Sequence, residues 1–239
     1  MPRPIQATID IQALRHNLSQ IKAAAPDALV WGVVKANAYG HGIERVFEGL
    51  RAADGIALLD LTEAERVRQL GWRGPILLLE GVFETRDLEL CSRLNLWHVV
   101  HCEAQIDMLA VHKTHQPHRV FLKMNSGMNR LGFAPQAFRA AWTRLNALPQ
   151  VDEISLMTHF SDADGEKGIA AAVSIFHQHT HDLSGERSLC NSAATLRHAK
   201  DQAVRGDGVL ECIALAQELW VPRQVWFKVN ACCEVCLQL

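Results

Sequence analysis

Short apolar runs alternate with amphipathic segments along most of the chain. The apolar runs are typical of strands buried on both faces and cover Leu29–Ala36, Gly55–Leu61, Ile76–Leu79, Trp97–His101, Arg119–Met124, Ile154–Phe160 and Arg187–Cys190. The amphipathic segments predict helices over Ile11–Ala24, Ile43–Ala53, Glu84–Arg93, Ala104–His112, Gln136–Ala147 and Ile169–Thr180. Asp10 is a candidate N-cap for the first helix, and Thr62–Glu65 has capping-box spacing that predicts the start of a further helix.

Strands that alternate with helices predict βαβ units and a parallel sheet. Seven or eight such units in 239 residues favour an α/β fold of the (β/α)8 TIM-barrel type over a doubly wound sheet, which remains the alternative. The chain contains no linker or low-complexity segment, so we expect a single domain over residues 1–239. Residues 206–239 are poorly periodic and hold four of the seven cysteines. They either complete the barrel or form an atypical C-terminal tail.

Composition and charge argue against several classes of protein. Apolar residues make up 49% of the chain, which supplies a sizeable core and argues against disorder. Lys and Arg number 24 and Asp and Glu 26, a balance untypical of nucleic-acid-binding proteins. No run approaches the roughly 18 apolar residues of a membrane span, and Met1–Gln6 lacks the signal-peptide pattern. Seven irregularly spaced cysteines are untypical of a disulfide framework and predict a cytoplasmic location.

The segment Val33–Gly42 offers the clearest chemistry. It places Lys35 at the end of an apolar strand, followed by a loop with two glycines and Tyr39, which is the single tyrosine of the sequence. In a barrel this position lies at the C-terminal mouth, where active sites are found. A partly desolvated lysine there can form a Schiff base with an aldehyde. The alternative is an ordinary strand-end lysine that points into solvent.

Three further sites follow predicted strands. Lys123–Gly132 carries a cation at each end, and Arg130 in its glycine-bounded loop suits recognition of a carboxylate or phenolate; the alternative is a surface ion pair. Asn191 and Ser192 precede a helix and could form an anion site or a plain N-cap. His159 ends the sixth strand, where it could contact a planar cofactor or be a buried structural histidine.

We predict no metal site. His177, His179 and His181 do not share one helical face, because residues two apart point in different directions. Cys233 and Cys236 form a lone CxxC without a second pair at zinc-like spacing.

Taken together, Val33–Gly42, Lys123–Gly132 and Asn191–Leu196 resemble the signature segments of the alanine racemase family, and especially of its catabolic branch. The first segment matches nearly residue for residue, and the likeness runs through most of residues 4–205. The resemblance implies a barrel that binds pyridoxal 5'-phosphate and interconverts L- and D-alanine.

The resemblance also implies roles for individual residues. Lys35 would hold the cofactor as an aldimine and act as the base on one face of the substrate. Tyr39 would bind the cofactor phosphate together with Ser192 and the helix start at Asn191. His159 would lie against the pyridine ring.

Three basic residues are likewise assigned by the resemblance. Arg130 would contact the phenolic oxygen of the cofactor and the carboxylate of the substrate. Lys123 matches a lysine that is carbamylated in many members, where the added carboxylate orients that arginine. Arg205 matches, at a slightly shorter spacing, the arginine that faces the pyridine nitrogen and keeps it unprotonated.

Racemisation needs a second acid–base group on the opposite face of the substrate. In the family this is a tyrosine from a second, β-rich domain, contributed by the partner subunit of a homodimer. Residues 206–239 do not resemble that domain, and Tyr39 is the only tyrosine. We therefore expect an alanine racemase with impaired turnover.

Two alternatives belong to other classes. Single-domain barrels that carry pyridoxal phosphate without racemising anything have about this length, although their lysine and phosphate-loop motifs differ. A metal-dependent barrel hydrolase would need a carboxylate–histidine ligand set at the strand ends, which the sequence lacks.

Overall fold

The parallel strands form a closed barrel. The computed structural model describes residues 8–113, 116–198 and 210–215, the last range by its backbone alone. The strands are β1 (Val30–Val33), β2 (Gly55–Leu58), β3 (Ile76–Leu78), β4 (Trp97–Val100), β5 (His118–Lys123), β6 (Val151–Met157), β7 (Arg187–Ser188) and β8 (Leu210–Leu215). They pair in chain order, and β8 returns to pair with β1, which confirms the predicted (β/α)8 barrel.

The eighth strand lies in the stretch predicted to be either barrel or atypical tail. Val30 pairs with Cys212 and Val33 with Leu215, all in parallel register, so this part of the stretch completes the barrel. The rest of residues 206–239, including Cys233 and Cys236, lies outside the described residues.

Helices connect and surround the strands. They are α1 (Ile11–Ala24), α2 (Lys35–Tyr39), α3 (Ile43–Val46), α4 (Leu61–Gln69), α5 (Asp87–Leu94), α6 (Glu103–Val111), α7 (Pro135–Asn146), α8 (Ala170–Thr180) and α9 (Ser192–His198). Asp10 caps α1 as predicted, because its carboxylate accepts from the backbone N–H groups of Gln12 and Ala13. No helix in the described ranges is long and apolar enough to cross a membrane.

The capping-box interpretation of Thr62–Glu65 was wrong. Helix α4 begins one residue earlier, and its N-cap is Asp60, whose carboxylate accepts from the N–H of Thr62 at 2.7 Å. An aspartate is at least as good a cap as a threonine. Glu65, the expected partner in the box, instead pairs with Arg93, while Glu63 turns inward and is 8% exposed.

Large side chains fill the inside of the barrel. This inner core consists of the inward-facing residues Trp31, Val33, Ala57, Leu77, Val99, Phe121 and Met157. Trp31 lies 5.3 Å from Trp97 and 6.0 Å from Phe121 between ring centroids. A Cβ on Gly55 would come within 2.3 Å of the Trp31 ring, so this strand position needs a glycine. The described side chains therefore fill the inside of the barrel, as is typical of barrels of this type.

A second, larger core lies between the outer faces of the strands and the helices. It contains a cluster of three buried histidines: His98 on β4, His118 at the start of β5 and His112 at the end of α6. The ring centroids of His98 and His118 are 5.2 Å apart, and those of His112 and His118 are 5.4 Å apart. Burial lowers the pKa of His98 to about 3 and that of His118 to about 4. Both rings are therefore neutral at physiological pH.

Candidate active site

A cavity of about 190 Å³ opens at the carboxyl ends of the strands. Its walls come from the ends of six strands and the loops that follow them: Lys35, Leu59, Leu79, Glu80, Lys123, Arg130, Leu131, Met157, Thr158, His159, Ser188, Leu189 and Cys190. The carboxyl end is where barrel enzymes place their active sites. This cavity is therefore the candidate active site.

Four residues singled out in the sequence line this cavity together. Lys123 is the last residue of β5, Arg130 lies in the loop after it, and His159 follows β6 by two residues. Lys35 follows β1, and its Nζ lies 5.7 Å from the centroid of the Tyr39 ring. Residues that are up to 124 positions apart in the chain, such as Lys35 and His159, thus converge on one space, because parallel strands of a barrel all end at the same face.

The electrostatics of the cavity lower the pKa of Lys123. The pKa of its amine is lowered to about 8, chiefly by burial and also by the nearby charges of Arg130 and Lys35, against the opposing effect of Glu80. A lysine with such a pKa has a sizeable fraction of free amine at neutral to mildly basic pH. Free amine is the form that reacts with electrophiles.

His159 is neutral for the same reasons. Burial is the main cause that lowers its pKa to about 4, and the charges of Lys123, Arg130 and Lys35 add to it. A neutral imidazole beside three cationic side chains adds no further positive charge to the cavity.

The backbone after Lys35 turns in a left-handed sense. Ala36, Asn37, Ala38 and Tyr39 all have φ between 51° and 54°, although none of them is glycine. The predicted strand Leu29–Ala36 was therefore wrong at its end, since β1 stops at Val33. Left-handed backbone costs about 1–2 kcal/mol per residue for L-amino acids. The surrounding structure must offset this strain.

Asn37 is the central residue of that turn. Its N–H donates to Glu63 Oε1 at 2.5 Å, and its carbonyl accepts from the N–H of Gly42 at 2.9 Å. Its side-chain Oδ1 accepts from Arg66 Nη2 at 2.8 Å and from the N–H of Ile43 at 3.2 Å. Asparagine also tolerates the left-handed region better than most residues. We did not foresee this role for Glu63 and Arg66, because in the sequence they read as ordinary residues of a helix.

The loop that carries Arg130 is closed on itself. The N–H of Phe133 donates to the carbonyl of Lys123, and the N–H of Asn125 donates to the carbonyl of Phe133, both at 2.9 Å. Gly132 makes this possible: its φ is 123°, and a Cβ there would lie 2.6 Å from the nitrogen of Asn125. The loop therefore starts and ends beside Lys123.

A buried glutamine fixes the neighbouring loop that carries Glu80. Gln105 Nε2 donates to the carbonyls of Glu80 and Val82, and its Oε1 accepts from the N–H of His101. Gln105 is 3% exposed. It was missed in the sequence, where a single glutamine at the start of a helix gives no signal.

The remaining predicted residues lie elsewhere. In the described part of the chain, Tyr39, Asn191 and Ser192 are not among the residues that line the cavity. Asn191 caps α9, because its Oδ1 accepts from the N–H of Ala194 at 2.9 Å, while its Nδ2 donates to the carbonyl of Phe160. Ser192 is fully buried at the first position of that helix. Arg205 lies outside the described residues.

Comparison with known proteins decides the family. The sequence profile described as "Alanine racemase, N-terminal domain" matches residues 9–207. The chain belongs to the alanine racemase family. Members of this family depend on pyridoxal 5'-phosphate.

Curated relatives are very similar over most of this chain. The alanine racemase of Methylibium petroleiphilum is 77% identical over 215 residues, which are 90% of this chain and 59% of the relative. That of Paracidovorax citrulli is 75% identical over 216 residues, with 90% and 58% covered. The chain thus spans a little under three fifths of the length of these racemases.

Solved structures share the fold. The biosynthetic alanine racemase of Pseudomonas aeruginosa has a TM-score of 0.83 at 38% identity, covering 91% of this chain and 60% of that one. The enzyme of Acinetobacter baumannii has a TM-score of 0.80 at 30% identity, covering 90% and 60%.

The cavity fits the cofactor of the family by its chemistry. Pyridoxal phosphate is an anionic aromatic aldehyde. It would meet a lysine that can react with the aldehyde, two further cations, and the apolar side chains of Leu59, Leu79 and Met157. Lys35, Arg130 and His159 are the residues of this cavity that would hold it.

Proposed function

We propose that this barrel is the cofactor- and substrate-binding part of an alanine racemase. The observation that carries the proposal is that Lys35, Lys123, Arg130 and His159 surround one cavity at the carboxyl ends of the strands. When bound there through Lys35, pyridoxal phosphate supplies an electron sink that stabilises the carbanion left by removal of the α-proton. The proposed substrate is alanine, which is small enough for the confined mouth.

Within this proposal, Lys35 has two tasks. Its Nζ would hold the cofactor, and as a free amine it would accept the α-proton of the substrate from one face. Arg130 binds the carboxylate of the substrate, since a guanidinium suits a planar anion. His159 stays neutral against the pyridine ring, in keeping with its lowered pKa of about 4.

Lys123 is proposed as a site of carbamylation. Its lowered pKa of about 8 leaves free amine available to attack carbon dioxide. The new N–C bond opens one C=O bond of carbon dioxide, and a proton leaves the nitrogen for solvent. The product is an anion beside Arg130, which would orient the guanidinium and replace the repulsion between two cations by an attraction.

Tyr39, Ser192, Asn191 and Arg205 remain proposals for the phosphate and the pyridine nitrogen. Tyr39 is supported by its position beside Lys35. Ser192 is supported by its place at the start of α9, and the side chain of Asn191 is already engaged as the cap.

The proton on the opposite face needs a second group. Tyr39 is the only tyrosine of the 239 residues and lies on the side of Lys35. We propose that these residues by themselves racemise alanine weakly, and that full turnover needs a group from elsewhere, such as the partner subunit of a homodimer. A cytoplasmic location is proposed from the cysteine pattern alone.

The test is a covalent link and an isotope exchange. Protein incubated with pyridoxal phosphate and reduced with borohydride should carry the cofactor on Lys35, and Lys35→Ala should abolish the link, whereas Lys167→Ala at an exposed position should not. Exchange of the α-proton in deuterated water should then be followed with each enantiomer of alanine separately. Exchange from one enantiomer supports a one-base site, whereas a link without exchange from either supports cofactor carriage, and a link that survives Lys35→Ala refutes the assignment.

A further inference from the structure

Glu63 has a buried carboxylate that lies near Lys35 but does not line the cavity. Glu63 is 8% exposed, and its Oε1 accepts the N–H of Asn37, two residues after Lys35, at 2.5 Å. Its Oε2 is buried and has no hydrogen-bond partner among the described residues. A glutamate is rarely fully buried unless its side chain is paired with another group.

The backbone that Glu63 holds is the left-handed turn Ala36–Tyr39. A strained segment persists only where its surroundings fix it. Within this turn, helix α4 binds Asn37 through both the carboxylate of Glu63 and the guanidinium of Arg66. Arg66 is in turn paired with Glu44 of α3 at 2.7 Å.

We propose that Glu63 is a positioning residue that holds the left-handed turn and thereby aims Lys35 into the cavity. Its carboxylate makes a charge-assisted hydrogen bond to the turn, which is stronger than a neutral one. Without that acceptor the backbone at Asn37 can relax towards ordinary right-handed or extended angles. Lys35 would then leave the place from which its Nζ reaches the cofactor. This inference rests on the proposed function for the role of Lys35, but not for the hydrogen bond itself.

Hydrogen exchange of the Asn37 amide tests the bond directly in the full chain. Glu63→Met keeps the length of the side chain and removes the acceptor, and should speed exchange at Asn37 about ten- to hundredfold. Glu63→Gln retains an acceptor oxygen and should restore most of the protection. Glu65→Met, two residues along the same helix in a partly exposed pair with Arg93, is the matched control and should leave Asn37 unchanged.

Glu63→Asp keeps the charge but withdraws it by one methylene, so it serves if Glu63→Met does not fold. It should also speed exchange at Asn37, while amides of strand β5 keep their protection. Unchanged Asn37 exchange in a folded Glu63→Met or Glu63→Asp protein overturns the inference. A general loss of protection in every strand does so too, because it indicates a purely structural role.

Binding of pyridoxal phosphate, measured by absorbance, gives the second readout. The dissociation constant should rise about tenfold in Glu63→Met and much less in Glu63→Gln and Glu65→Met. Faster Asn37 exchange with unchanged cofactor binding would overturn the positioning role. If the unaltered chain shows no covalent link, the proposed function fails, and the exchange experiment still reports on the hydrogen bond.

Discussion

Ser126 Oγ lies 2.6 Å from Thr158 Oγ1, and both hydroxyl groups are buried. Thr158 in turn donates to the carbonyl of Met124 at 3.1 Å, so the hydroxyl of Ser126 donates to Thr158. This pair ties the loop that carries Arg130 to the end of β6, next to His159. The two sides of the cavity are therefore connected by a hydrogen-bond chain and not merely packed together.

Removing either hydroxyl should weaken the connection. Ser126→Ala leaves one acceptor unused and should cost about 1 kcal/mol of unfolding free energy, whereas Thr158→Val leaves a buried carbonyl and a buried hydroxyl unsatisfied and should cost about 2–3 kcal/mol. Urea unfolding of both single variants and the double variant measures the coupling. Ser19→Ala on the surface is the control. Strict additivity of the two changes would show that the pair does not act as a unit.

Lys123 should react with carbon dioxide more readily than an ordinary lysine. Its pKa of about 8 gives a large fraction of free amine at a mildly basic pH at which surface lysines are still protonated. With isotopically labelled bicarbonate, NMR should show a carbamate signal that grows as pH rises through 8 and is absent in Lys123→Ala. Lys22→Ala, which removes a lysine paired with Asp54, should leave the signal in place. A signal in both variants would place the reaction at another amine.

The histidine cluster should make the barrel sensitive to acid. His98 and His118 have folded pKa values of about 3 and 4, below the unfolded value of about 6.5, so the unfolded chain binds more protons between these values. Stability is thus complete above about pH 6.5 and falls as the pH drops towards 4. Each unit of depressed pKa corresponds to about 1.4 kcal/mol, so the loss should reach several kcal/mol.

The groups facing these rings are the three histidines themselves, which repel one another when charged. His98→Leu should therefore flatten the fall of unfolding free energy between about pH 6.5 and pH 4. His16→Leu at an exposed position should leave the slope unchanged. Denaturant titrations at several pH values provide the comparison, and equal slopes in all three proteins would contradict the assignment.

Gln105 should contribute more to stability than its residue type suggests. Gln105→Leu removes the hydrogen-bond partner of a buried backbone group of Val82 and of part-buried backbone groups of His101 and Glu80, and should cost about 2–4 kcal/mol. Gln136→Leu on the exposed face of α7 should change stability by less than about 0.5 kcal/mol. Melting curves of the two variants test this. The Glu80 loop should also lose protection from hydrogen exchange in Gln105→Leu alone.

The barrel could be predicted from the sequence, because the period and spacing of apolar residues indicate which positions are buried. Strand β2 and helix α1 lie where the pattern predicted them, within a few residues. The ends of the strands and helices were less predictable. The strand at Leu29–Ala36 was predicted too long, because alanine disfavours left-handed backbone and Ala36 therefore gave no signal of the turn that the structure has there. Only tertiary contacts from α4 select the turn.

The residues of the site likewise fall into those that the sequence predicts and those that it does not. Lys35, Lys123, Arg130 and His159 could be placed at the mouth, because each lies at or after the end of a predicted strand and strand ends meet at one face. The supporting residues Glu63 and Gln105 could not be found, since their bonds join segments 23 to 26 positions apart. Helical period alone gives no signal for such pairs.

The pairing of β1 with β8 has a consequence for assembly. Strand β1, which leads to Lys35, pairs with β2 on one edge and with β8 on the other. Its second edge therefore stays unpaired until residues 210–215 have been synthesised. Such distant pairings form slowly, and open strand edges invite wrong partners. Lys35 therefore follows a strand of the β1–β8 pair, which closes the barrel last. We expect the cofactor pocket to form as a late step of folding.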